Sequence, residues 1–149
     1  MKPVGNAEIT EKLTSVMPAG IEITRIYEQR GKLTDIKWAE NRIVYGDIEM
    51  DEELPAKIEE LFRHPVVLMK RSKSGDKETD ITTLIQSVKA EWVDGQLAVT
   101  AVTSAQSENY LNPEYVAQAI ENAFAVSGEK GWHVITRRRL MLEDGSDFE

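Results

Sequence analysis

Apolar and polar positions repeat along this chain with two periods, and each switch of period marks an element. Ile9, Leu13 and Val16 recur at helical spacing. That predicts a first helix from about Asn6 to Met17, capped by Asn6 and stopped by Pro18 and Gly20. Ile21 to Glu28 alternates as a half-buried strand does. Residues 31–40 suit a short helix. Arg42 to Met50 suits a strand with Val44, Gly46, Ile48 and Met50 on one face and Ile43 and Tyr45 on the other. Asp51 caps the next helix, whose stripe is Leu54, Ile58, Leu61 and Phe62. Pro65 ends it and Val66 to Arg71 reads as a strand.

In the second half, Ser72 to Thr79 is a polar loop or hairpin and Asp80 to Ser87 has room for one helical turn. Val88 to Val93 and Gln96 to Thr103 read as strands joined by Asp94-Gly95, a strong hairpin signal. Asn112-Pro113-Glu114 supplies a cap, a first-position proline and a first-turn acid. Val116, Ala119, Ile120, Ala123 and Phe124 form the buried face of the helix that follows. Gly128 and Gly131 close the connection to a last strand, Trp132 to Leu142, and the polar tail after it is expected to fray. This order implies an α+β fold: an antiparallel or mixed sheet with helices on one face. Its elements group as two incomplete ferredoxin-like (split βαβ) units that share a sheet or pack together. The boundaries are 1–71 for a first unit lacking its opening strand, 72–143 for a ββαβ unit, and 144–149 for a flexible tail.

Composition narrows the chemistry. The 149 residues are 41% hydrophobic and 30% charged, enough apolar material to fold without disulfides. With no cysteine there are no thiolate metal ligands, no iron–sulfur ligation by this chain and no cysteine nucleophile. No apolar run reaches membrane-span length and the start lacks a signal-peptide core, so a cytoplasmic protein with no membrane partner is expected. His64 and His133 stand far apart and outside any zinc spacing. Ser104 and Ser107 have no histidine at triad spacing, and no phosphate-binding glycine loop exists. Catalytic residues, metal ligands and cofactors are therefore expected to be absent, and activity of the chain on its own is not expected. Trp38, Trp92 and Trp132 read as packing residues.

Two basic segments break the acidic balance of −8. Arg63 to Lys77 holds five basic residues against Asp76 alone. Lys70, Arg71, Lys73 and Lys77 sit at a strand end and in its loop, where they either neutralise phosphates or keep a sheet edge soluble. Arg137, Arg138 and Arg139 lie on the last strand. Alternation sends Arg137 and Arg139 to one face, and puts Arg138 in register with Trp132, Val134, Leu140 and Leu142, which look buried. Arg138 then pairs with a carboxylate or sits at a bulge. Asp80 beside Lys77 is an acid–base pair or a turn cap.

Several short motifs point to a family. Glu11-Lys12-Leu13 with Val16-Met17-Pro18-Ala19-Gly20-Ile21-Glu22-Ile23 resembles the signature L-N-x-x-L-P-x-G-[IL]-x-[IV]. Lys73, Lys77, Asp80 and Ile81, continued by Leu84-Ile85, resemble a basic loop followed by Val-Asp-Ile. Asn109 with Leu111-Asn112-Pro113-Glu114-Tyr115-Val116 resembles G-N-L-x-P-x-x-[VL], and Ile135-Thr136-Arg137 with Leu140 resembles I-x-R-T-x-L. Together they resemble the C-terminal portion of the radical SAM-linked protein family, an uncharacterised bacterial family. The basic and aromatic N-terminal portion of that family is absent here, and Ser107-Glu108-Asn109-Tyr110 replaces its Gly-Asn loop. The resemblance implies a radical SAM enzyme as partner and brings no catalytic residues. The expected function is an accessory module that presents Lys70, Arg71, Lys73, Lys77, Asp80, Asn109, Arg137 and Arg139 to RNA or an acidic protein surface. The alternative is a subunit or truncated fragment of an RNA-related or radical SAM enzyme whose reactive groups lie elsewhere.

Overall fold

The computed structural model describes residues 5–26, 28, 31–124, 126 and 132–148. Contacts divide them into two units, residues up to Lys32 and Leu33–Phe148.

The first unit carries α1 (Asn6–Val16). Gly5, not Asn6, stands at its N-cap, and the Asn6 amide instead donates to the Ile26 carbonyl at 3.1 Å. Val16 is 74% exposed and no residue of α1 is buried, so the apolar stripe is not a core face. Residues 21–26 and 28 form no strand, because alternation alone cannot hold extended backbone without a ladder partner. Gly128 and Gly131 lie outside the described residues.

The second unit opens with β1 (Trp38–Gly46), which starts earlier and ends earlier than alternation implies. α2 (Leu54–Leu61) follows, with the Glu53 amide held by the Asp51 carboxylate at 2.9 Å. β2 (Val67–Ser72) and β3 (Gly75–Asp80) form a separate hairpin. A short 3-10 turn, Ile81–Leu84, leads into β4 (Ile85–Val93) and β5 (Gln96–Ser104). Asp94 and Gly95 join those strands with φ of 50° and 76°, the left-handed pair that a two-residue hairpin turn requires. α3 (Glu114–Phe124) begins where Asn112 accepts the Glu114 amide, and β6 (Trp132–Met141) ends the sheet.

The main sheet has the order β4-β5-β1-β6 with every pairing antiparallel, so the α+β expectation holds. Of the two expected arrangements, the sheet is shared. β1 from before position 71 lies between β5 and β6 from behind it. The run β1-α2-β4-β5-α3-β6 is therefore one complete βαββαβ plan, with the β2–β3 hairpin as an insertion. A boundary at 71/72 would cut through this sheet, whereas the contacts divide the chain between Lys32 and Leu33. The described part of the tail turns back on β6: Leu142 N–H reaches the Ser146 carbonyl at 2.9 Å and Phe148 N–H the Leu140 carbonyl at 2.8 Å.

One face of the sheet carries the core. Ile43, Tyr45, Leu97 and Val99 pack there with Ile58 of α2, Val116 and Ile120 of α3, Ile81 and Leu111, all buried. On β6 the residues opposite Tyr45 and Ile43 are His133 and Ile135. Trp132 and Val134, expected inside, lie on the other face at 43% and 52% exposure. Of the expected α3 face, Ala123 is exposed and Ala117 is buried instead.

Candidate nucleic-acid interface

The pairing of β1 with β6 shifts between Glu40 and Asn41: Glu40 faces Arg139 and Asn41 faces Arg137. Arg138 is the extra residue of a bulge, one of its two expected fates. The bulge has a consequence that alternation missed. Asn41 belongs to the helix-side face with Ile43 and Tyr45, whereas Glu40 belongs to the opposite face, so Arg137 and Arg139 point to opposite sides. Arg139 is also neutralised, by Asp147 at 2.6 Å with Glu40 at 3.9 Å. It leaves the expected patch.

Arg137 does not. Its guanidinium donates to the Tyr110 hydroxyl at 3.1 Å. From the β2–β3 hairpin, the Lys70 ammonium donates to the Tyr110 carbonyl at 2.6 Å. The hairpin is fixed here a second time, by the Arg71 amide donating to the Tyr115 hydroxyl at 3.0 Å. Two distant basic segments thus meet on one tyrosine.

The hairpin itself sorts its charges. Lys70 faces Lys77 across the ladder, and Arg71 faces Asp76. Pairing and alternation place Lys70 and Lys77 on one face, with Arg71, Asp76 and Glu78 on the other. Two ammonium groups directly opposite repel each other, which costs stability in the absence of an anion. No ion pair engages Lys70, Lys77 or Arg137 among the described residues. Lys73 lies in the exposed tip of the hairpin.

Asp80 is a cap, not a member of this cluster. One of its carboxylate oxygens accepts from the amides of Thr82 (3.0 Å) and Val66 (3.2 Å) and from the Thr82 hydroxyl. The Thr82 side chain, then these amides, hold its carboxyl below the usual 3.8. A depressed carboxylate stabilises fully above its unfolded value and loses that contribution as pH falls through its folded value. Asp80→Ala is expected to cost about 1 kcal/mol at neutral pH. The gap from the parent should close below pH 3.8, as thermal melts at stepped pH will measure. A gap independent of pH would refute this role.

Other polar groups serve the fold. His133 lies between two carboxylates, Nε2 at 3.0 Å from Glu114 and Nδ1 at 2.9 Å from Glu121. The two ring nitrogens point apart, so these groups tie β6 to α3 without converging on a metal position. Among the described residues no group of three or more His, Asp or Glu forms one. Tyr45 beside it donates to the Ala117 carbonyl at 3.2 Å. Burial, with smaller contributions from Glu121 and Glu114, pushes its hydroxyl far above the usual range. His64 lies just past α2 and contacts Glu60. A hollow of about 720 Å³ has Asp47, Glu49, Asp51 and Glu52 in its wall, and its Lys57 is already paired with Asp51 and Glu53. That acidic wall is the wrong sign for phosphate. No helix among the described residues is long and apolar enough to cross a membrane.

Residues 1–113 match a family of uncharacterised proteins conserved in bacteria, DUF2344. The chain belongs to this family. The DUF2344 match takes in the hairpin and the Tyr110 loop and stops at Pro113, so Arg137 lies beyond it. The family description supports an uncharacterised bacterial family, and carries no link to radical SAM chemistry. No curated protein and no solved structure matches the chain.

Tyr110 is the residue that sequence reasoning passed over. Its one signal was position: an aromatic in a polar loop, directly after Asn109.

Proposed function

We propose that this chain is an accessory module that binds RNA through Lys70, Lys77 and Arg137, with Lys73 extending the contact at the hairpin tip. The observation that carries this reading is the meeting of Lys70 and Arg137 on Tyr110 without a carboxylate partner. Cations already held in place by the two ends of one residue neutralise a phosphate chain with little further ordering. RNA is favoured over an acidic protein surface because cations from two separate segments gather on one loop of an otherwise acidic chain, which suits the closely repeated charges of a phosphate backbone. The radical SAM partner that the motifs imply belongs to the same reading. Recovery of an iron–sulfur protein with the tagged chain tests that half, and its consistent absence would remove it.

The test of RNA binding is anisotropy of a labelled oligoribonucleotide across a salt series. Lys70→Gln and Arg137→Gln are each expected to flatten the slope of log K against log salt by about 0.7 to 1. Arg139→Gln, already neutralised by Asp147, should leave it unchanged. An unaltered slope in the first two variants would end the proposal. An acidic protein ligand would leave the RNA affinity of the parent negligible at every salt.

A further inference from the structure

The cluster contains a ring as well as charges, and the ring is partly bare. Tyr110 keeps 39% of its surface exposed although both its polar ends are held, the carbonyl by Lys70 and the hydroxyl by Arg137. An ordinary surface tyrosine swings freely. This one is fixed at a tyrosine's length between two cations, so little freedom is lost when something flat lies against it. Its hydroxyl accepts from Arg137, which leaves the phenolic proton to donate outward. Beside it, Asn109 is exposed and its amide has no partner among the described residues. An amide presents a donor and an acceptor side by side, the pattern that reads a base edge.

We infer that Tyr110 is a stacking platform for an unpaired base whose flanking phosphates lie on Lys70 and Arg137, with Asn109 on the base edge; the ligand is therefore single-stranded. This rests on the RNA-binding reading above and names the form of RNA. A duplex keeps its base faces stacked on one another and offers Tyr110 no free π-face. A bare polyanion has none.

The experiment compares three probes on the full chain: a single-stranded oligoribonucleotide, a duplex of the same length, and inorganic polyphosphate of matched charge. The single strand is expected to bind tightest. Tyr110→Phe keeps the ring but releases Arg137 from the hydroxyl, so it is the reference: Tyr110→Leu, which removes the ring as well, should bind the single strand about tenfold more weakly than Tyr110→Phe, while polyphosphate should not distinguish the two variants. Photocrosslinking of 5-iodouridine RNA should map to Tyr110, a readout independent of any variant's fold. Equal affinity for duplex and single strand, or no loss in Tyr110→Leu relative to Tyr110→Phe, overturns the stacking inference while the charge-dependent binding stands. Loss of response to Lys70→Gln and Arg137→Gln overturns both.

Discussion

Truncating Ile43 to alanine is expected to lower folding stability by about 3 kcal/mol. Ile43 is at zero exposure in the middle of β1, the strand flanked on both sides. Its register partners are Val99 on β5 and Ile135 on β6, and the same cluster holds Ile58, Val116 and Ile120 from the two helices. With neighbours fixed by two ladders and two helices, the space left by the missing carbons does not collapse, so a cavity adds to the lost transfer energy. Val134→Ala is the control. Val134 faces Val44 on the opposite side of the sheet at 52% exposure, and its loss should cost under about 1 kcal/mol. Urea melts of both variants decide the matter. Equal costs would mean that β1 and β6 are not in this register.

The second large effect lies at the end of the same strand pair. A Cβ built on Gly46 falls 2.2 Å from Cζ2 and 2.3 Å from Cε2 of Trp132, so the indole lies flat against the glycine backbone. The indole N–H is held by Asp47 at 2.9 Å. In Gly46→Ala the ring has to leave, losing that bond and its packing, at an expected cost of about 2 kcal/mol. In a Trp132→Leu background the clash is gone, and adding Gly46→Ala should change stability by less than about 0.5 kcal/mol. A double-mutant cycle measures this, and strictly additive costs would show that the ring does not rest there.

These two sites show how local signals and long-range ones differ. The turn at Asp94-Gly95, the Asn112 cap and the buried faces of α2 and α3 were legible because each is set within a few residues, by left-handed backbone, an orphan amide or helical spacing. Arg138 was legible as an anomaly, since a charge in an apolar register demands a partner or a bulge. That the bulge separates Arg137 from Arg139 was not legible, because parity changes only when the partner strand is known. The Ile21 to Glu28 alternation misled for the same reason: a strand exists only against a neighbour.

The sequence by itself determined the α+β class, most helices and hairpins, the absence of thiol chemistry, and where positive charge is concentrated. All of these follow from residue type and short spacing. Tertiary structure alone decided that β1 joins β5 and β6 in one sheet, that Asp147 removes Arg139 from the basic cluster, and that Lys70 and Arg137 meet on Tyr110. The two Tyr110 contacts join residues 27 and 40 positions apart, and only the closing of the sheet and the seating of the hairpin on the Tyr110 loop bring them within hydrogen-bond reach.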